Sequence, residues 1–332
     1  MPSQLSHILH GLAASSALPV RLAGLAHTPA FRLGCQGPDL FYHNRRTKPA
    51  GFLYGTRLHR RGWGSFLSRF RREALARGWG PDHPGLALLA GMATHGFLDR
   101  QGHPFVVYFS GWKVPGDPRT DRLKHAHMFL ERILDVELWK LRSPEPGAPL
   151  VSCSWQDDLP GPADFPADLW PAWAEALHEV FPQLSARADV EQRLRNAVAD
   201  TRGFLAFTSP SNPEHAARGA LHGALHYFHP IALPGLDFLN LDHSPWQDPV
   251  SGQVRHESFV ELFDRAVIEA RAALASLADA SVDWEALLGN GSLNLPGSEG
   301  ENQAPSFNRP WDYEDLLDRE AQARLSGVHQ LP

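Results

Sequence analysis

Cysteine is scarce in this chain, which has two cysteines, Cys35 and Cys153, among 332 residues. Two cysteines can form one disulfide at most, so they exclude a disulfide scaffold and a structural zinc site with four cysteine ligands. Any metal ion in this protein must therefore be held mainly by nitrogen and oxygen. The chain has 18 histidines that can supply such ligands.

The chain also lacks an excess of positive charge and a long apolar run. Its formal net charge is -6, whereas a duplex-binding module usually has a basic patch, so nucleic acid is not indicated as a partner. No run reaches the roughly 18 apolar residues of a membrane span, and we predict no transmembrane segment. Because residues 1–19 lack the basic start of a signal peptide, we predict a cytoplasmic protein.

Alternation of polar and apolar residues, the mark of a strand, does not persist anywhere, and no internal repeat is visible. Apolar residues recur instead at helical spacing, which predicts an all-α fold with a single multi-helix domain. The predicted helices cover residues 3–18, 52–61, 63–77, a central helix that ends before 105, and then 120–141, 167–181, 186–204, 213–228, 256–278 and 311–324.

The predicted domain organisation is a helical, metal-binding, hydrolase-like domain over residues 1–289. Residues 290–332 are polar and rich in glycine, which predicts a poorly packed and only partly ordered tail. Residues 105–119 and 143–166 are predicted loops. Residues 231–254 form a long irregular segment, and a loop of that length in a compact domain is often functional.

The most informative stretch is HGFLDRQGHP, in which His95, Asp99 and His103 are spaced four residues apart. At 3.6 residues per turn, these side chains lie within one narrow arc of a helix surface. Two imidazoles and a carboxylate arranged in this way are good ligands for zinc or a similar divalent ion. The preceding run, GLALLAGMATH, is apolar, so we place this helix in the middle of the fold. The alternative is three partly exposed polar residues at a helix end.

Two further segments supply carboxylates. His127 and Glu131 are four residues apart in the next long helix, a spacing that is common by chance but that gains meaning beside the central stretch. Asp39 follows Gly37 and Pro38, which predicts a turn that presents its carboxylate at a helix start. Asp39 is therefore either a site residue or an ordinary turn residue.

Other polar residues are candidates for supporting the ligands or contacting substrate. His222 and His226 share one face of a predicted helix and form either a further metal pair or a packing pair, of which we favour the second. The full set of such candidates is His10, His43, His222, His226, Asp242, His243 and Trp246.

The order of these residues resembles the zinc-dependent phospholipase C family, whose all-helical fold is related to the single-strand nucleases of the P1 type. The resemblance covers about residues 1–140 and depends on His7, Asp39, His59, His95-x3-Asp99-x3-His103 and His127-x3-Glu131. The later segment from Asp242 to Phe259 is similar to uncharacterised bacterial members of that family. No single piece carries the resemblance, which lies in the combined order and spacing.

The resemblance implies a cluster of two to three zinc ions that activates water for attack on a phosphodiester. It assigns His59, His95 and Asp99 to one zinc, His103, His127 and Glu131 to a second, and His7 to a third, with His10 as the alternative donor. Asp39 would orient or deprotonate the attacking water, and Asp99 would bridge two ions. The expected substrate is a small-molecule or lipid phosphoester.

One departure from the family concerns choline recognition. The residue after Asp39 is Leu40, where the choline-phospholipid enzymes have an aromatic residue, and Phe41 and Tyr42 follow it. A cation–π pocket for choline is therefore not predicted.

Two other functions remain open at this point. A single-strand nuclease would need stacking platforms and a basic groove, for which Trp63, Trp79 and Trp112 and Arg57, Arg60 and Arg61 are candidates, although the overall acidity argues against it. A zinc-stabilised helical protein that binds a partner without turnover is the other alternative.

Overall fold

The computed structural model describes residues 4–114, 116–145, 147–184, 187–212, 225–297 and 306–328. Helix accounts for 62% of the chain and strand for 1%, which confirms the all-α prediction. Within the described ranges, no helix has both the length and the apolar character needed to cross a membrane. Cys35 and Cys153 are buried free thiols and do not form a disulfide.

Twelve α-helices occur in the described part of the chain. They are α1 (Gln4–Ala14), α2 (Pro29–Gly34), α3 (Leu40–His43), α4 (Phe52–Arg60), α5 (Trp63–Ala76), α6 (Pro84–Ser110), α7 (Ala126–Arg142), α8 (Leu169–Val180), α9 (Arg187–Thr208), α10 (Phe259–Ala275), α11 (Trp284–Leu288) and α12 (Tyr313–Val328). Short 3-10 segments lie between them, including Val20–His27, Gly37–Asp39, Pro118–Leu123 and Leu225–Tyr227. The short strands β1 (Trp246–Gln247) and β2 (Val254–Arg255) pair antiparallel, with Trp246 opposite Arg255.

Helix α6 lies at the centre of the molecule and packs against α1, α2, α5, α7 and α10. It is apolar on nearly every side, which is typical of a helix with neighbours all round. Its approach to α2 is close enough to need glycine. A Cβ added at Gly91 would lie 2.2 Å from the carbonyl oxygen of Phe31, and one at Gly34 would lie 2.2 Å from that of Leu88.

The end of α6 differs from the prediction of a loop over residues 105–119. The helix continues through Pro104 and ends at Ser110, before Gly111, whose φ is 68°. Proline usually ends a helix because it removes one hydrogen bond and crowds the preceding turn. Here Phe105 and Val107 are fully buried beyond the proline, and their packing offsets that cost.

The other predicted helices agree with the structure to different degrees. Those at 52–61, 63–77 and 167–181 are confirmed within about two residues at each end, a usual uncertainty for helix boundaries. The helix predicted at 120–141 begins only at Ala126, after the 3-10 segment Pro118–Leu123. The Asp117 side chain accepts a hydrogen bond from the Arg119 amide and so caps the 3-10 segment rather than the α-helix. Helix α10 is shorter than predicted because its capping box, formed by Ser258 and Glu261, fixes its start.

The remaining boundaries shift by several residues. The helix predicted at 3–18 ends at Ala14 and continues as a 3-10 turn, and the one predicted at 186–204 extends to Thr208. The helix predicted at 311–324 runs instead from Tyr313 to Val328. Most of the helix predicted at 213–228 lies outside the described residues. Residues 231–245 are irregular, as predicted.

The described parts of the predicted tail are packed more closely than expected. Leu293, Tyr313, Glu320 and Arg324 are buried, and the Leu293 amide donates a 2.8 Å hydrogen bond to the His59 carbonyl oxygen. The expectation of poor packing is therefore wrong for these residues. Glycine and polar residues dominate the composition there, but a few apolar and paired side chains are enough to fix the chain to the core. The division of the chain at 289 stays a prediction.

Candidate metal centre

Eight histidine and acidic side chains from five segments meet beside α6. They are His7 on α1, Asp39 at the end of the 3-10 turn Gly37–Asp39, His59 on α4, His95, Asp99 and His103 on α6, and His127 and Glu131 on α7. These are the seven metal ligands and the one catalytic carboxylate that the sequence predicted. All but His127 are buried.

Asp99 lies at the centre of this cluster. Its Oδ2 atom is 2.9 Å from His95 Nε2 and 3.6 Å from His59 Nε2. Its Oδ1 atom is 3.2 Å from His7 Nε2 and 3.7 Å from His103 Nε2. One carboxylate therefore faces four imidazoles, with each oxygen directed towards a different pair, which is the arrangement that a bridging ligand needs.

Asp39 approaches two of the same imidazoles from the opposite side. Its Oδ1 atom is 3.1 Å from His59 Nε2, and its Oδ2 atom is 3.5 Å from His95 Nε2. The family resemblance implied that Asp39 acts on the attacking water and did not assign it as a metal ligand. At these distances the carboxylate can also serve as a ligand to an ion held by His59 and His95.

Glu131 joins the two remaining histidines at the other end of the cluster. Its Oε1 atom is 3.2 Å from His127 Nε2 and 3.5 Å from His103 Nε2. His127 and Glu131 are one turn apart on α7, and His103 reaches them from α6. The ligand set that the resemblance implied for a second zinc is thus within reach of a single ion.

Three groups in the cluster have donor atoms close enough to share an ion, with all atoms of a group within 4.8 Å of one another. The groups are His7, His95 and Asp99; Asp39, His59 and His95; and His103, His127 and Glu131. The last group matches the ligand set that the resemblance assigned to the second zinc. The first pairs His7, the expected ligand of a third ion, with two ligands of the central helix.

Backbone carbonyl oxygens fix the orientation of three of these imidazoles. The Nδ1 atoms of His59, His95 and His103 lie 2.7, 3.0 and 3.1 Å from the carbonyl oxygens of Gly55, Cys35 and Leu293, respectively. A carbonyl oxygen only accepts, so each Nδ1 carries the proton and donates it. The Nε2 atoms then face the cluster, as is usual for histidines that bind metal.

Gly37 brings Asp39 close to α6. Its φ of 52° is in the left-handed region, which favours glycine. A Cβ at this position would lie 2.3 Å from Cγ of His95, so any other residue would displace the turn or the imidazole. The sequence indicated a turn here but not the contact that makes glycine necessary.

The carboxylates of the cluster are held in their charged form. Burial by itself raises the pKa of Asp39, but His59 and His95 outweigh it and the pKa is lowered. Burial likewise opposes charge on Asp99 and Glu131, yet the neighbouring histidines, His103 and His95 for Asp99 and His127 for Glu131, hold both pKa values well below their usual range.

The histidines divide into two kinds. Burial lowers the pKa of His103, but Asp99 and Glu131 raise it more, to about 9. The pKa of His95 is raised for the same kind of reason, by Asp99 and Asp39 against the effect of burial. Burial dominates at His7 and His127, whose pKa values are lowered.

The contacts within the cluster suit a shared cation better than direct hydrogen bonds. His95 Nε2 and Asp99 Oδ2 are 2.9 Å apart, yet neither atom has a partner of hydrogen-bond geometry among the described residues. Asp39 Oδ1 and Glu131 Oε2 likewise have no hydrogen-bond partner among the described residues. Buried polar atoms normally have partners, and donor atoms that lie this close together without hydrogen bonds are arranged as a shared cation would need. The nitrogen and oxygen donors fit zinc.

Comparisons with protein families, with curated proteins and with solved structures find no match.

Three of the histidines expected to support the ligands pack against aromatic or imidazole rings. His10 is buried edge-on against Phe263, and burial lowers its pKa to about 3. His43 stacks on Phe204 with ring centroids 4.5 Å apart, and His226 stacks on His125 at 3.7 Å. Among the described residues, His10, His43 and His226 form no hydrogen bond or ion pair with the eight cluster residues. His222 lies outside the described residues.

Asp242, His243 and Trp246 lie near the short hairpin and away from the cluster. Asp242 and His243 are exposed, and His243 Nδ1 is 3.4 Å from Glu261 Oε2. Trp246 is fully buried and packs against Phe105 of α6 with ring centroids 5.5 Å apart. We find no contact between these three residues and the cluster in the described part of the chain, and their role as substrate residues stays a prediction.

A pocket of about 440 Å³ reaches the cluster at His127, whose side chain is 27% exposed. Its walls include Tyr42, Phe52, Arg60 and Trp112. A larger pocket of about 780 Å³ lies near the start of α6, but none of the eight cluster residues lines it. Of these two pockets, the smaller one is therefore the candidate for access to the cluster, because it contacts one of the eight residues.

Proposed function

We propose that this chain is a zinc-dependent phosphoester hydrolase similar to the phospholipase C family, with a small-molecule or lipid phosphoester as its substrate. The observation that carries the proposal is the buried cluster in which Asp99 faces four imidazole Nε2 atoms and which reaches solvent at His127. The order and spacing of the ligands in the sequence support it independently.

The residues suit the chemistry of phosphoester hydrolysis. Divalent ions bound in such a cluster supply an acidified water and positive charge that stabilises both the attacking and the leaving oxygen of the phosphoryl group. The low pKa of Asp39 keeps its carboxylate charged at neutral pH, so it can orient the water or accept its proton. The burial of the other ligands leaves the edge at His127 as the way in for substrate.

The nuclease alternative is weaker because its stacking residues are buried. Trp63 and Trp79 are 0% and 7% exposed and pack in the core, where no base can reach them. Trp112 is the one of the three candidate tryptophans that lines the pocket. A single ring is a poor platform for successive bases of a strand.

Metal content is the first test of the proposal. Protein purified without added metal or chelator should contain two or three zinc ions per chain by inductively coupled plasma mass spectrometry, and it should hydrolyse bis(p-nitrophenyl) phosphate. Zinc without hydrolysis of any phosphoester would favour the binding protein without turnover. No metal in a folded protein would contradict the proposal altogether.

Asp39→Asn tests the role of the carboxylate beside the histidines. The substitution keeps the shape and removes the charge, so hydrolysis should fall by about a hundredfold or more while the fold is kept. Unchanged zinc content would assign Asp39 to the water, whereas loss of one ion would assign it as a ligand. Asp242→Asn, at an exposed carboxylate away from the cluster, is the control. A rate equal to wild type in Asp39→Asn would reduce Asp39 to a turn residue.

A further inference from the structure

The pocket at His127 is placed to receive the part of the substrate that projects from the cluster. The side chains of the seven other cluster residues are at most 8% exposed, against 27% for His127. Tyr42, on another wall, stacks on His59 with ring centroids 5.0 Å apart and an interplanar angle of 28°. The pocket therefore borders both ends of the cluster, His59 through Tyr42 and His127 directly.

The walls of this pocket are positively charged. Arg60, Lys113 and Lys124 line it, and none of its lining residues is an aspartate or glutamate. Lys113 is paired with Asp121 at 2.8 Å, so part of its charge is compensated. In the described part of the chain, Arg60 and Lys124 have no ion-pair partner. A low-dielectric cleft lined by positively charged side chains concentrates anions and repels cations.

The walls also provide apolar surface. The rings of Tyr42, Phe52 and Trp112 and the side chain of Leu123 line the pocket, and Phe52 is 41% exposed. Exposed apolar surface inside a cleft of this volume is typical of a small-molecule site, where a few polar groups fix orientation. The pocket can thus hold a short apolar segment that ends in a charged group.

We propose that the substrate is an anionic phosphoester, with a second negatively charged group joined to the scissile phosphate through a short apolar segment, and that Arg60 and Lys124 select it. This inference rests on the proposed function. The aromatic rings alone would accept a quaternary ammonium group, but Arg60 and Lys124 beside them oppose its charge. Esters of choline should accordingly be poor substrates.

Three p-nitrophenyl phosphodiesters that differ in the second alcohol test the charge selection. The alcohols are 3-hydroxypropanoate, which is anionic, 3,3-dimethylbutanol, which is neutral, and choline, which is cationic. In each reaction water adds to phosphorus, the bond to p-nitrophenolate breaks, and one proton is released. With full-length zinc-loaded protein, kcat/KM for the anionic ester should exceed that for the choline ester by about tenfold or more.

A double variant shows whether Arg60 and Lys124 are responsible. Arg60→Gln with Lys124→Gln should lower kcat/KM for the anionic ester about tenfold and should change that for the neutral ester less than about twofold. Lys140→Gln is the matched control, because Lys140 is an exposed cation paired with Glu137 on α7 and does not line the pocket. A preference for the choline ester, or an equal loss for all three esters in the double variant, would overturn the inference.

Binding measurements separate this inference from the proposed function. If none of the esters is hydrolysed, the hydrolase proposal fails, and calorimetric titration of the same esters still tests the selection. Binding of the anionic ester about tenfold tighter than the choline ester supports the charge selection, and equal binding of the two esters overturns it. Micelles containing phosphatidylinositol 4-phosphate or phosphatidylcholine then distinguish a lipid source of the anionic group from a soluble one, since only a lipid substrate needs the micelle surface.

Discussion

Asp99 connects more of the candidate site than any other residue. Its two oxygens face His7, His59, His95 and His103, and the burial of so many ionisable groups is costly unless their charges are compensated. The carboxylate supplies part of the compensation to the histidines, and an ion would supply the rest to the carboxylate. Compensation of the buried charges would therefore need both the Asp99 carboxylate and a bound ion.

We expect Asp99→Asn to lose metal and stability together. An amide keeps the shape, but it places an N–H₂ group towards one pair of imidazoles and cannot bridge two ions. The variant should bind at least one zinc ion fewer than wild type. Its free energy of unfolding should be about 3 kcal/mol lower, the usual cost of breaking a buried charge pair. Mass spectrometry of the metal content and urea denaturation measure the two effects.

Asp168→Asn is the control for this prediction. Asp168 is a half-exposed carboxylate that accepts a hydrogen bond from Trp79 and lies 3.4 Å from His83 Nε2, outside the cluster. Its loss should leave the zinc content unchanged. Full zinc stoichiometry in Asp99→Asn would show that the central assignment is wrong.

The sequence predicted the side chains of the cluster but not the backbone that orients them. Four-residue spacing directs His95, Asp99 and His103 to one side of a helix, and the geometry follows from the helical repeat alone. The carbonyl oxygens of Cys35 and Leu293 have no signal of their own, because every residue has a carbonyl group. Only the folded chain shows which of them meets an imidazole.

At the level of whole helices, local sequence rules failed where packing was stronger. Pro104 suggested the end of α6, whereas apolar residues on its far side keep the helix intact to Ser110. The start of α7 was misplaced for a related reason, since helical periodicity over 120–125 also fits a 3-10 turn. The predictions were correct for helix interiors with strong periodicity. The errors lie at helix ends, whose positions depend on long-range contacts.

The segment from residue 290 to 297 is an element of the site rather than a removable tail. The Leu293 amide donates to the His59 carbonyl oxygen, and the Leu293 carbonyl oxygen accepts from His103 Nδ1. One residue thus contacts ligands of two different groups. Chains that end at Gly289 and at Gly297 should therefore differ in metal content, although both lack α12.

We expect the chain ending at Gly297 to bind as much zinc as the full-length protein and the chain ending at Gly289 to bind less. The shorter chain loses the acceptor that orients His103, and loss of such a partner typically weakens metal affinity about 10- to 100-fold. Zinc titration with a competing chelator measures the difference, with circular dichroism to verify helix content. Equal affinity in the two truncated chains would mean that residues 290–297 do not support the site.

Across the whole molecule, long-range contacts bring the ligand-bearing helices together. Asp135 of α7 accepts hydrogen bonds from the Gln4 amide at 3.0 Å and from the Ser6 amide at 2.7 Å. A carboxylate from a distant helix thus binds the first turn of α1, which carries His7 one residue later. Nothing in the local sequence predicts a contact between segments about 130 residues apart, so the sequence indicated His7 only through the family resemblance, and the structure shows the contacts that hold α1 beside the cluster.

The charge state of the assembled cluster predicts that metal binding releases protons. Without metal, Asp99 and Glu131 raise the pKa of His103 to about 9, so His103 holds a proton at neutral pH, and the pKa of His95 is also raised. The carboxylates Asp39 and Asp99 are already ionised, since their pKa values are lowered. A metal ligand must present a free lone pair, and the proton that His103 carries on Nε2 therefore has to leave.

Zinc binding at pH 7 should accordingly release at least one proton per chain, that of His103, and the apparent affinity should rise with pH until about pH 9, by about tenfold per pH unit for each proton released. Calorimetric titration of chelator-treated protein with zinc, in two buffers of different ionisation enthalpy, gives the proton number directly. At pH 10 the release should vanish, because His103 is then neutral before the ion arrives. Zinc binding without proton release at pH 7 would contradict the assignment of His103 as a ligand, since its protonated Nε2 atom cannot coordinate an ion.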